Sequence, residues 1–211
     1  MRRFGLFLVG FAAFSPIAMA DDCTKDVLVA FDKQHKSKAF RTSLTQATAE
    51  GPAEITWDYL PPDKALQTVK SPAMAGVQHT MLVGDRAFAG ADEAYEELLP
   101  QFKQSVAAEV QAAVGPPPEN IGVFECAGKK TFDGKELVAY SAKDKDVKPG
   151  TDPGDVLART IYVDPESGLP AYNVIAAVSG KVEPVVKVTY SYPADIVIEA
   201  PVNAPAQKKS N

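Results

Sequence analysis

The spacing of its turn signals constrains this chain more than any other feature. Short runs that alternate apolar and polar residues are separated by Gly, Pro and Asp clusters too brief to hold a crossover. Glu54-Ile55-Thr56-Trp57-Asp58-Tyr59 is the clearest of them, with Ile55, Trp57 and Tyr59 on one face and the polar residues on the other. Further strands are predicted over residues 38–48, 65–70, 77–83 and 86–88, and in the second half over 121–127, 136–143, 157–164, 171–178, 185–192 and 196–200. Turns fit between them at Glu50-Gly51-Pro52, Pro61-Pro62-Asp63, Gly84-Asp85-Arg86, Phe132-Asp133-Gly134 and Ser179-Gly180. Strands in this order pair antiparallel, because parallel neighbours need a connection of a dozen or more residues. A sheet of so many short strands twists, and a large one curls.

Two helices complete the pattern. Residues 22–37 read as one, capped by Asp22 or Thr24, with Val27, Leu28 and Phe31 on a shared face. Asp92 caps a first turn through Leu98, and Pro100 then kinks that helix or begins another. From there Leu99, Phe102, Val106, Val110 and Ala113 recur at helical spacing until Gly115 and Pro116–Pro118 end the segment. One apolar stripe on an otherwise polar helix has to lie against something, most simply the sheet.

Residues 1–20 read as a secretory signal peptide: Arg2 and Arg3, an apolar stretch from Phe4 to Phe14, a break at Ser15-Pro16, and Ala18-Met19-Ala20 as the cleavage site. Cys23 follows Asp21 and Asp22, so it is not the first residue after cleavage and is not expected to carry a lipid. Without Arg2 and Arg3 the 22 basic residues fall to 20 against 27 acidic, a formal charge of −7. A mildly acidic surface with no basic cluster argues against nucleic acid or anionic lipid headgroups as main partners. No later segment is apolar enough to span a bilayer, and the expected location is the periplasm, as a soluble protein. One domain is expected over residues 21–202, with an exposed loop near 143–155 and a disordered tail at 203–211.

An oxidising compartment favours pairing Cys23 with Cys126. Cys126 then points to the helix-covered side of the sheet, and strand alternation puts Phe124 there too, with Ile121 and Val123 opposite. Catalytic chemistry is missing. His35 sits in a basic helix end and His79 alternates with Val77 and Met81 on a strand, neither with zinc-ligand spacing. There is no nucleophile elbow, phosphate loop or dinucleotide fingerprint. Asp144, Asp146, Asp152 and Asp155 are interleaved with lysines and lack the spacing of a calcium loop. No catalytic residue, metal or cofactor is expected, and the chain does not read as an enzyme.

The stretch Ile55-Thr56-Trp57-Asp58-Tyr59-Leu60-Pro61-Pro62-Asp63-Lys64 resembles the early hairpin of the LolA/LolB-like superfamily of periplasmic lipoprotein carriers. Met81-Leu82-Val83-Gly84-Asp85-Arg86-Ala87-Phe88 is similar to that superfamily's next hairpin. Val186–Tyr190 and Ile196–Pro201 resemble the closing strands of its lipid-binding lipoprotein branch. The resemblance runs from about residue 22 to 201 in element order. It implies an α+β fold: a large, strongly curved antiparallel sheet, a half-barrel, with helices packed on its concave face. It also implies an apolar cavity between them for a lipid or an acylated protein, with a membrane-anchored periplasmic partner in the same scheme. Trp57, Tyr59, Met81, Leu99, Phe102, Val106, Phe124 and Tyr140 are the residues expected to line that cavity. The alternative is a non-catalytic interaction or sensor-partner module whose core is filled.

Overall fold

A computed structural model describes residues 20–118, 121–143, 152, 154, 156–180 and 183–208. The proposed signal segment before Ala20, most of the acidic loop and the last three residues lie outside the described residues. Helix α1 spans Ala20–His35. A meander follows: β1 (Phe40–Thr48), β2 (Gly51–Leu60), β3 (Lys64–Lys70), β4 (Gln78–Val83), β5 (Arg86–Ala91) and β6 (Ala94–Glu97). Helix α2 (Pro100–Val114) leads to a second meander of β7 (Glu125–Phe132), β8 (Lys135–Lys143), β9 (Leu157–Val163), β10 (Pro170–Ala177) and β11 (Val186–Ser191).

Among the described residues these strands form one antiparallel sheet in the order β6-β5-β4-β3-β2-β1-β11-β10-β9-β8-β7. The two meanders join where β1 pairs with β11, Thr42 opposite Tyr190. β6 and β7 are the outermost strands and do not pair with each other, so the sheet is an open half-barrel and not a closed one. The chain leaves one edge at Glu97 and re-enters at the other at Glu125, so α2 has to cross a face of the sheet. It packs on β4 and β5, while α1 packs on β7, β8 and β10. This is the α+β half-barrel with helices on one face that the sequence led us to expect.

Each helix closes its own core. Under α2, Val106, Val110 and Val114 meet Phe40, Trp57, Tyr59, Ala65, Leu82 and Ala87. Under α1, Cys23, Val27 and Ala30 meet Phe124, Tyr140, Ile161 and Val163. The Cys23–Cys126 disulfide fastens α1 to β7, joining residues 103 positions apart in the sequence. Phe124 N donates to Thr24 Oγ1 at 2.9 Å beside it. Thr24 thus serves inside the helix as an acceptor for the residue that precedes β7, and not as the helix cap.

Other local expectations need correction. Residues 92–98 do not form a helical turn. Asp92 Oδ1 instead accepts from Val77 N at 3.0 Å, and Asp92 N donates to Val77 O at 2.7 Å. The residues after it pair with β5 as β6, Gly90 opposite Tyr95. β7 begins at Glu125, four residues later than expected, so alternation does not run through Ile121, which packs on the α1 side. Residues 196–200 are not a strand; Ile196, Ile198 and Ala200 lie over Met81 and Phe88 on the face away from the helices. The described part of the tail, up to Lys208, is not free either. Glu97 N donates to Pro205 O and Gln207 N to Glu97 O, both at 2.8 Å, which covers the β6 edge.

Candidate functional site

Between the helices and the sheet the cores do not quite meet, and a cavity of about 380 Å³ remains there. That size falls in the range of small-molecule sites. Phe31, Gln34 and His35 of the last α1 turns form one wall. Ala112 and Ala113 of α2, with Pro117, Pro118 and Ile121 beyond it, form another. Phe40 and Thr42 of β1, Tyr59 of β2, Tyr190 of β11 and Arg159 of β9 make the floor.

The apolar part is built from rings. Phe40 and Tyr59 stack at 4.6 Å between centroids, and Phe31 meets Tyr190 edge-on at 6.3 Å. Their positions follow from alternation: Phe40 faces Tyr59 and Thr42 faces Trp57 across β1 and β2, so all four share the helix side. Burial raises the Tyr59 hydroxyl well above the ordinary tyrosine range, helped by the charge of Glu109 and opposed by a hydrogen bond with Thr42. Burial also raises Tyr190, against a hydrogen bond with Asn173 and the positive charge of Arg159. Both are neutral phenols, apolar in body with one polar tip.

The polar part gathers at the β9 end. Arg159 Nε donates to Asn173 Oδ1 at 3.1 Å, and its guanidinium carbon lies 5.9 Å from the Phe124 ring centroid. Gln34 is only 3% exposed, and its Oε1 has no hydrogen-bond partner. His35 Nδ1 is also without one. Burial lowers the pKa of His35 from its ordinary value, with Asp32 opposing. No set of three or more metal-binding side chains occurs among the described residues.

Of the eight residues expected to line the cavity, Tyr59 is the one found in its wall. Trp57 and Val106 are packed in the core beneath α2. Phe124 and Tyr140 are packed beneath α1, where the Tyr140 hydroxyl donates to Asp26 Oδ2 at 3.3 Å. Leu99 stands just before the first residue of α2, in extended backbone. Two expectations are corrected outright. Met81 is adjacent to Leu82, which faces α2, so it points to the other side and packs with Phe88 and Ile198. Phe102 is 49% exposed, because the packed stripe of α2 begins one turn later at Val106. Sequence reasoning missed Phe31, Phe40, Ile121, Tyr190 and Arg159. For Phe40, Tyr190 and Arg159 the signal was strand parity, usable only once the β1–β11 register is known.

No family model and no curated protein matches this chain. Solved structures do. The lipoprotein LppX from Mycobacterium tuberculosis superposes with a TM-score of 0.54 at 13% identity, covering 84% of this chain and 98% of LppX. LprF from Mycobacterium bovis superposes with a TM-score of 0.51, also at 13% identity, over 87% of this chain and 98% of its own. The fold is that of LppX and LprF. At this identity the likeness concerns the backbone fold alone, and it spans nearly the whole length of both structures.

Proposed function

We propose that this protein is an exported, non-catalytic carrier that holds an apolar ligand, a lipid or the acylated end of a partner, in the cavity between its half-barrel and helices. The observation that carries this reading is the aromatic-walled cavity of about 380 Å³ on the helix-covered face. Tyr59, Phe40, Phe31 and Ile121 are the proposed contacts. The disulfide and the signal-like first 20 residues support a periplasmic location after cleavage at Ala20. No helix among the described residues is long and apolar enough to cross a membrane.

The test is uptake of N-phenyl-1-naphthylamine, whose fluorescence rises in an apolar site. The native chain should bind it, and Ala113→Trp, which fills the cavity from α2, should weaken binding at least tenfold while the fold is retained. Unchanged uptake by folded Ala113→Trp would count against the site.

A second reading has its own observation. Leu157, Val178, Val185 and Val186 are exposed together at one end of β9, β10 and β11. A docking module would use such a patch. It is favoured if the probe fails to bind and a Val185→Lys variant loses a partner that the native chain retains.

A further inference from the structure

The carrier reading leaves the polar end of the cavity without a matching occupant, and three observations describe what would match it. The first is the state of the arginines. Arg41 forks onto Asp58 through Nε and an Nη at 2.6 and 2.9 Å, and Arg86 grips Glu97 in the same way. Arg159, the third arginine among the described residues, pairs with no carboxylate among them. Its one hydrogen bond there, from Nε to Asn173, fixes the side chain and leaves both terminal nitrogens available. It is also the arginine that the fold turns into the cavity.

The second observation is Gln34, almost wholly buried, with an amide oxygen that lacks a partner on the same cavity wall. Its neighbour His35 has an unpartnered Nδ1. Buried polar groups are nearly always hydrogen-bonded. Two exceptions side by side, in the lining that also holds an arginine with no carboxylate partner among the described residues, mark a polar end of the cavity. An amide turned over and a neutral imidazole each offer an N–H to an acceptor.

The third is shape. The floor runs from Tyr59 on β2 through β1, β11 and β10 to Arg159 on β9, four strand spacings or roughly 19 Å along the sheet. Polar groups gather at the β9 end, and stacked rings with the alanines of α2 lie at the other. Glu109, the acid that acts on Tyr59, lies toward that far end. The occupant is therefore long, apolar over most of its length and anionic at one tip.

We infer that the ligand is a long-chain carboxylate, a free fatty acid, whose head pairs with the terminal nitrogens of Arg159 beside Gln34 and His35 while its chain crosses the sheet toward Tyr59. The planar fork of an arginine fits a carboxylate through two parallel bonds, which a lysine cannot reproduce. This inference rests on the carrier reading and specifies its cargo.

The test is isothermal titration of the full chain with palmitate, 1-hexadecanol, hexadecyl phosphate and acetate, repeated on Arg159→Gln and Arg159→Lys. Palmitate should bind on the order of tenfold or more tighter than hexadecanol, the weight of a charge-assisted pair. Arg159→Gln should erase that preference, and thermal unfolding like that of the native chain would show that the variant is folded. Arg159→Lys should recover only part of it. Equal binding of palmitate and hexadecanol overturns the headgroup assignment and leaves the carrier reading standing. Tighter binding of hexadecyl phosphate than of palmitate overturns the carboxylate, and acetate binding as tightly as palmitate overturns the amphiphile. Binding of none of them overturns the inference and the carrier reading together.

Discussion

At the scale of single residues, burial of polar groups around the cavity has measurable consequences. His35 is held below its ordinary pKa of 6.5 by burial. The unfolded histidine takes up a proton that the folded one resists, so its contribution is complete above about pH 6.5 and is lost as pH falls. Thermal midpoints should therefore drop between pH 7 and pH 5, and His35→Gln should flatten that slope. A slope unchanged by the substitution would remove His35 from the explanation. Asp164 titrates lower, since Ser167 and Glu166 donate to its carboxylate and hold it below the usual range, and its contribution disappears only in stronger acid. Gly90 makes a steric prediction of a different kind. A Cβ there would lie 1.9 Å from the Ala94 carbonyl oxygen in the tight β5–β6 hairpin. Gly90→Ala should cost about 1–3 kcal/mol in chemical denaturation, because backbone on both sides has to shift. A cost near zero would mean that the hairpin is not as close as described.

At the scale of elements, two fastenings hold the helices over the sheet, and they are separable. Val110 is buried in the centre of the α2 stripe, while Phe102 is half exposed one turn outside it. Val110→Ala should cost about 2 kcal/mol and Phe102→Ser less than about 0.5 kcal/mol in urea unfolding. Periodicity alone ranks them the other way, since the larger Phe102 sits on the same arithmetic stripe. The disulfide is the second fastening. Closing a loop of this length contributes up to about 4.7 kcal/mol in the chain-entropy picture, so Cys23→Ser with Cys126→Ser should lower stability by about 2–5 kcal/mol. The strands were legible in the sequence because alternation and turn residues are local: Glu54–Tyr59 and the Phe132-Asp133-Gly134 turn stand where they were read. The elements that were misread depend on partners distant in sequence. Asp92 looks like a helix cap until Val77 is placed beside it. Ile196–Ala200 alternates like a strand, yet it lies across a sheet face and joins no ladder.

At the scale of the whole molecule, the half-barrel was readable and the site largely was not. Choosing cavity residues requires knowing which parity of each strand faces the helices, and the β1–β11 junction sets this for the two meanders together. Trp57 and Tyr59 share the correct face, yet only Tyr59 reaches the gap; Met81 was one residue out of phase. Arg159 carries no local signature, and what singles it out is that no acid among the described residues pairs with it, where the other two described arginines each have one. The central claim, that an acyl chain lies between the helices and the sheet, is tested most directly by photolabelling. A fatty acid with a diazirine in its chain would be bound, irradiated and located by peptide mapping. The account predicts labels on Phe31, Tyr59, Ile121 and Tyr190, suppressed by excess palmitate. Labels confined to the opposite face around Met81, Ile198 or Tyr162, or none above a denatured control, would contradict it.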